Sequence, residues 1–143
     1  MKPFVTYRPA RVADAPLLAA MNQHLIQDEG HSNPMTVPEL VSRMKQWLRR
    51  EYRGVLFERG GEVVGYAVYR LDVGSIYLRQ FFIGRKYRRQ GIGRAAMQIL
   101  LSELFPPRTR VTVDVLHHNH AAHEFWKAIG FHDYAVTLEM RRS

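Results

Sequence analysis

Residues 85–96 read RKYRRQGIGRAA, so Gly91 and Gly93 are embedded among Arg88, Arg89 and Arg94. A glycine has no Cβ, so a ligand oxygen can come close to the main-chain amides around it. If a helix starts here, its first N–H groups have no intrahelical partner and its dipole adds positive potential. The chemistry such a turn can do is anion binding. The amides of Arg89, Gln90, Gly91, Ile92, Gly93, Arg94 and Ala95 would be the donors, and their run suits a pyrophosphate.

Other phosphate motifs fit less well. A Walker loop needs Gly-Lys followed by Ser or Thr, and Gly93 is followed by Arg94 and Ala95. A dinucleotide-binding fingerprint tolerates Ala96 in place of its third glycine, and Asp114 lies near the expected acidic position. That fingerprint normally opens the first β-α-β unit, whereas several elements precede this turn. A plain glycine turn capping a helix with surface arginines is the bland alternative.

The flanking elements favour a binding turn. Residues 77–83, YLRQFFI, are a β-type run entering it. Ile92, Ala95, Ala96, Ile99, Leu100 and Leu104 follow it with the spacing of a one-sided helix. Pro106 and Pro107 stop that helix. Residues 111–116, VTVDVL, read as a buried strand that returns parallel to the 77–83 run through a helical crossover. His117, His118 and Asn119 then lead into AAHEFWKAIGF, with Ala122, Phe125, Trp126 and Ile129 on one helical face.

The order R-x-x-G-x-G, helix, strand, Asn-x-x-Ala-x-x-Phe-aromatic and Gly-Phe resembles the GNAT superfamily of acyl-CoA-dependent N-acyltransferases. Arg88, Gly91 and Gly93 match its pyrophosphate signature; Asn119, Ala122, Phe125, Gly130 and Phe131 match its downstream motif. The resemblance implies a mixed-sheet α/β (α+β) fold of order β-α-α-β-β-β-α-β-α-β. In that fold the two central strands splay apart, and acetyl-CoA, the acyl donor, enters the gap. It further implies that the amides near Phe82 and Ile83 polarise the thioester carbonyl. Asn119 would contact the pantetheine arm or serve as a helix cap, or both. Lys127 could reach the 3′-phosphate of the coenzyme or stay a solvated surface lysine.

One position departs from the pattern. Many members carry Tyr after the motif's Phe to protonate the leaving thiolate, and here that residue is Trp126. Indole only donates a hydrogen bond. Tyr134 and Tyr87 are candidate replacements; solvent is another. For the general base, His117 and His118 come first, because histidine titrates closest to neutrality. Both could equally be surface loop residues. Asp114, Tyr77 and Gln80 sit nearby, and a base acting through a water chain is favoured. The acceptor amine should meet the first two helices and their loop, about residues 23–36, together with residues 131–140; Asp28, Glu29 and His31 could greet a cation there, though solvated loop residues are the favoured reading.

Composition narrows the class further. A chain of 143 residues with 46% apolar and 24% charged residues is expected to form one domain over its full length. With no cysteine, a disulfide framework, a thiolate metal site and a ping-pong cysteine nucleophile are all excluded; no metal is expected. No apolar run approaches the roughly 18 residues of a membrane span, and the first residues lack a signal-peptide core. A cytoplasmic setting is the default. The formal charge of +8 favours anionic partners. Its arginines are scattered rather than gathered in one arm, so nucleic acid is a weak candidate beside CoA. A homodimer is a possible assembly, and a coenzyme-binding regulatory domain is the alternative to an enzyme.

The remaining elements follow in order. Residues 4–8 alternate as a first strand. Asp14 stands as N-cap to a helix with Pro16 in its first turn and Leu17, Leu18, Met21 and Leu25 inward. Thr36 and Glu39 form a capping box before a second helix, with Leu40, Val41, Met44, Trp47 and Leu48 inward. Residues 54–58 and 62–70 flank Gly60-Gly61 as a hairpin. Residues 131–141 are expected to close the sheet.

Overall fold

A computed structural model describes residues 4–30 and 33–143. His31 lies outside them. The first strand, β1 (Thr6–Pro9), leads through a short turn to α1 (Ala15–Asp28) and α2 (Val37–Arg49). Strands β2 (Tyr52–Arg59), β3 (Glu62–Asp72) and β4 (Ser75–Ile83) come next, then α3 (Ile92–Ile99), β5 (Arg110–Thr112) and α4 (His120–Ile129). The sheet runs β1-β2-β3-β4-β5, antiparallel except for the parallel pair β4 and β5.

The helices form for the expected local reasons. Thr36 and Glu39 make the reciprocal cap of α2: the Glu39 amide donates to Thr36 Oγ1 at 3.3 Å, and the Thr36 amide to Glu39 Oε1 at 2.9 Å. Asn119 Oδ1 accepts from the Ala122 amide at 3.1 Å and starts α4. Asp14 behaves differently from a helix cap. Its carboxylate takes the Arg11 amide at 2.7 Å and the Arg8 guanidinium at 3.1 Å, so it fastens the turn before α1 to β1. Leu17 is exposed rather than inward, because α1 turns Ala15, Leu18, Ala19 and Asn22 to the core.

The sheet separates two apolar layers. Leu18, Met44, Leu56, Tyr66 and Phe82 pack between sheet and α1–α2, and Phe57, Leu78, Ile83, Ile92, Met97 and Trp126 pack under α3 and α4. Phe82 and Ile83 are neighbours in sequence yet belong to opposite layers, as the two-residue period of a strand requires.

Two expected strands are changed. Of residues 111–116, only the first two join β5: the ladder with β4 ends at Tyr77 opposite Thr112, because β4 diverges from there on. The closing strand at 131–141 is not formed. That segment pairs with no strand and stands off β5 across a groove of about 350 Å³, lined in part by Val111, Val113 and Val115. Along it Tyr134, Val136, Leu138 and Met140 are 75%, 84%, 90% and 89% exposed.

Candidate active site

The phosphate turn begins where β4 ends. After Gly84 the chain makes a short 3-10 turn (Arg85–Tyr87), Arg89 takes φ +61°, and Gly91 takes φ +79° as the N-cap of α3. A non-glycine residue at positive φ is uncommon and gathers near functional sites. Here it and Gly91 turn successive amides outward. The amides of Arg89, Gln90, Gly91, Ile92, Gly93 and Arg94 find no acceptor among the described residues; the first amide to re-enter the ladder is that of Ala95, bonded to Gly91 O at 3.1 Å. A Cβ built on Gly91 meets nothing within 4 Å. The residues present therefore fit an oxyanion ligand with several oxygens: a row of unsatisfied donors faces open space.

Arg88 is not among the free cations of this turn. Its Nε donates to Ile83 O at 2.8 Å and its Nη2 to Asp28 Oδ2 at 2.5 Å. Arg85 also reaches Asp28, at 2.5 Å. Burial alone would raise the Asp28 carboxyl, but hydrogen bonds from Arg85 and Arg88 and their charges outweigh it and hold it below the usual carboxylate range. Asp28 thus braces the turn against the end of α1, and is unavailable to greet a cationic acceptor. Gln90 is held too, accepting from Arg59 at 2.7 Å and donating to Lys86 O at 3.2 Å. The exposed cations left beside the amides are Arg89 and Arg94, the latter 3.4 Å from Ala128 O.

Beside the turn lies the gap. Beyond Tyr77 the edge of β4 that faced β5 has no strand partner among the described residues. This leaves main-chain groups near Phe82 and Ile83 open to a ligand while both side chains stay buried at 4% and 7% exposure. The far wall is the unpaired run after Thr112, ending at His117, His118 and Asn119. Asn119 uses Oδ1 for its cap, and its Nδ2 has no partner among the described residues. His117 is exposed and packs edge-on against His118 at 5.6 Å; His118 Nε2 lies 3.4 Å from Glu29 O. Tyr77 bridges the two walls, its hydroxyl donating to Asp114 at 2.7 Å. Burial, then the bond to Asp114 and its charge, push that hydroxyl up to about 12. It is a poor base at neutral pH.

Three sequence candidates sit elsewhere. The Tyr134 ring lies 4.2 Å from the Arg110 guanidinium, at the entering end of β5, whereas the gap opens at the leaving end. It also lines the groove that runs along the β5 wall as far as His117. Tyr87 donates to Glu62 at 2.8 Å, which anchors the turn to the β2–β3 hairpin. Lys127 faces the tail, 4.0 Å from Asp133, and lines the groove beside β5. Trp126 is 9% exposed and packs edge-on to Phe81, Phe125 and Phe131 at 5.0–5.5 Å, so the indole is a core ring.

Sequence reasoning missed a bulge. The β3–β4 register shifts so that Val68 faces Gln80 and Tyr69 faces Leu78, leaving Arg79 as an extra residue. Strict alternation would put Gln80 on the opposite face from Tyr77 and Arg79. The bulge brings all three to the α1–α2 side, where they line one cavity with Asn22, Glu29 and Arg43. No sequence signal marks a bulge without glycine.

A mixed sheet parted beside a turn of bare amides defines the class of acyl-CoA-binding N-acyltransferase folds. The sequence matches the Acetyltransferase (GNAT) family over residues 18–131, and the chain belongs to that family. Solved structures agree in fold. A possible acetyltransferase from Clostridium difficile 630 aligns with a TM-score of 0.79 at 15% identity, over 98% of each chain. A predicted acetyltransferase from Clostridium acetobutylicum, solved with acetyl-CoA, gives 0.75 at 17% identity over 96% of each. An acetyltransferase from Thermus thermophilus gives 0.73 at 25% identity, over 90% of this chain and 86% of its own. A search of curated protein sequences found no match.

Proposed function

We propose that this protein transfers the acetyl group of acetyl-CoA to a primary amine by direct attack, with both substrates bound together. The row of amides without acceptors at residues 89–94, opening on the gap between β4 and β5, is the observation that carries this reading. Acetyl-CoA supplies an activated acyl carbon. The pyrophosphate is held by those amides, with Arg89 and Arg94 adding charge. Main-chain donors near Phe82 and Ile83 polarise the thioester oxygen. Asn119 Nδ2 donates to the pantetheine arm. His117, at the end of the β5 wall, draws the proton from the amine through water. The amine nitrogen bonds the acyl carbon, the carbon–sulfur bond breaks, and solvent protonates the thiolate, Trp126 having no acidic proton to give. With no cysteine in the chain, no acyl-thiol enzyme intermediate is formed.

Release of CoA thiol across a panel of small amines, polyamines, amino acids and peptides tests this. At least one acceptor should support turnover, and His117→Ala should lower kcat by roughly tenfold to a hundredfold with little change in acetyl-CoA affinity. Tight acetyl-CoA binding without release for any amine would make the chain a coenzyme-binding regulatory domain.

A homodimer belongs to the same proposal. The exposed row Tyr134, Val136, Leu138 and Met140 has the period of a strand, and the apolar groove beside it flanks an unpaired edge of β5. Both surfaces lie on one chain, so a second copy can satisfy them reciprocally and close the assembly. Light scattering should give a dimer mass, and Leu138→Asp should give the monomer; a monomeric wild type would reject the dimer.

A further inference from the structure

We propose that the acceptor amine also carries a carboxylate, which Arg43 and Arg79 hold in the cavity between α1, α2 and β4. The inference rests on the acyltransferase reading and names its substrate class. The cavity, about 250 Å³, is lined mainly by polar groups, and both arginines reach it. Its volume is below the roughly 300–1,000 Å³ of drug-sized sites, so the acceptor is a small molecule or the end of a chain.

The two guanidiniums flank one indole. Arg43 lies 4.4 Å and Arg79 4.6 Å from the Trp47 ring centroid. Arg43 Nη2 donates to Asn22 Oδ1 at 3.0 Å, and Asn22 is 1% exposed. Arg79 Nη1 donates to the Tyr52 hydroxyl at 3.1 Å. Neither arginine forms an ion pair with a carboxylate among the described residues, whereas Arg8, Arg70, Arg85 and Arg88 all do. Arg43 Nε is buried with no hydrogen-bond partner, alone in that respect among the described side chains. A buried guanidinium donor without an acceptor is costly, and a second like charge nearby adds to the cost. Burial first, then the charge of Arg79, lower the pKa of Arg43. Stacking on Trp47 offsets part of this.

A carboxylate removes the conflict. Its two oxygens match the planar fork of a guanidinium and neutralise the pair. A plain cationic amine would instead enter against two positive charges, with Glu29 as the cavity's carboxylate. The position suits an acceptor, because Arg79 precedes Phe82 by three residues, roughly 10 Å along a strand. That spacing separates the acid and amine ends of a small amino acid or a short peptide terminus from the thioester. Arg79 shares the face of Tyr77, and the bulge adds Gln80 to it.

The experiment uses the full chain with saturating acetyl-CoA and measures, by calorimetry and thermal shift, binding of the standard amino acids and β-alanine. Each is compared with its carboxamide or decarboxylated amine, and phosphoethanolamine serves as a phosphate probe. One or more carboxylates should bind roughly tenfold or more tightly than the uncharged counterpart. Arg79→Gln and Arg43→Gln should each weaken that carboxylate by roughly tenfold to a hundredfold and narrow its advantage. If Arg43→Gln unfolds because Asn22 loses its partner, the exposed strand position of Arg79 still carries the test. Equal binding of amides and acids, no carboxylate binding, or binding of phosphoethanolamine alone would overturn the proposal. Acetyl-CoA binding is measured first by itself; its absence would overturn the acyltransferase reading, and its presence without carboxylate binding would overturn only the acceptor class.

Discussion

Gly91→Val should weaken acetyl-CoA binding by roughly a hundredfold and lower stability by about 1–2 kcal/mol. The first effect follows from the open space in front of Gly91, where nothing lies within 4 Å of an added Cβ. A branched side chain would stand in the space proposed for the pyrophosphate oxygens. The second effect follows from φ +79° at that residue, a conformation in which Val is strained. Gly91→Asn separates the two effects, because Asn tolerates this conformation while still adding a side chain. Calorimetry with acetyl-CoA should show reduced affinity in both variants, and thermal unfolding should show a lower Tm mainly for Val. Undiminished affinity in both would remove the pyrophosphate from this turn.

Gly65→Ala should be the more damaging change to the protein as a whole, costing about 2–4 kcal/mol. The added Cβ would lie 2.1 Å from Phe82 O and 2.9 Å from Ile83 Cδ1. Gly65 pairs with Ile83 across the β3–β4 ladder, so the two strands have to separate at that point. For a chain of this size the loss corresponds to roughly 5–15 °C in Tm. The displacement falls on the main chain proposed to polarise the thioester, so thiol release should fall further than the loss of folded protein accounts for. Activity that tracks the folded fraction alone would place the polarising donors elsewhere.

These substitutions touch opposite sides of one short segment, which shows how tightly the site is fitted to the fold. Ile83 supplies a core side chain, a carbonyl for Arg88 and a strand edge beside the gap. Arg88 returns to Asp28, so the end of α1 is tied to the turn that opens α3. The cavity lined by Arg43 and Arg79 lies on the α1–α2 side of the same strand and the aromatic core under α4 on the other. A small movement of β4 would therefore be felt on both of its faces.

The sequence was legible wherever the signal is local. Thr36 with Glu39, Asn119 and Gly91 each act on their own neighbours, and the structure shows helices starting there; the diproline at Pro106 and Pro107 follows a π-helical turn, Leu100–Leu104, that continues α3. Hydrophobic period gave the inward faces of α2 and α3, since Leu40, Met44, Ile92, Ala96 and Leu100 are fully or nearly fully buried. The pairing of two spaced motifs gave the family. What spacing could not give was the partner of each polar side chain. Arg88 looks like a phosphate arginine and is a brace; Asp28 looks like an acceptor contact and is the other half of that brace. Tyr134 stacks on the guanidinium of Arg110, a partner 24 residues away.

The amino-acid order by itself determined the course of the chain, the glycine turn before α3 and the class of fold, because capping, periodicity and glycine act over a few residues. Only the tertiary structure decided which arginines are paired and which are not, where β4 leaves β5, and that a bulge turns Arg79 and Gln80 to the same face. Those outcomes depend on groups distant in sequence competing for the same hydrogen bonds and the same space, and a linear pattern holds no record of who wins.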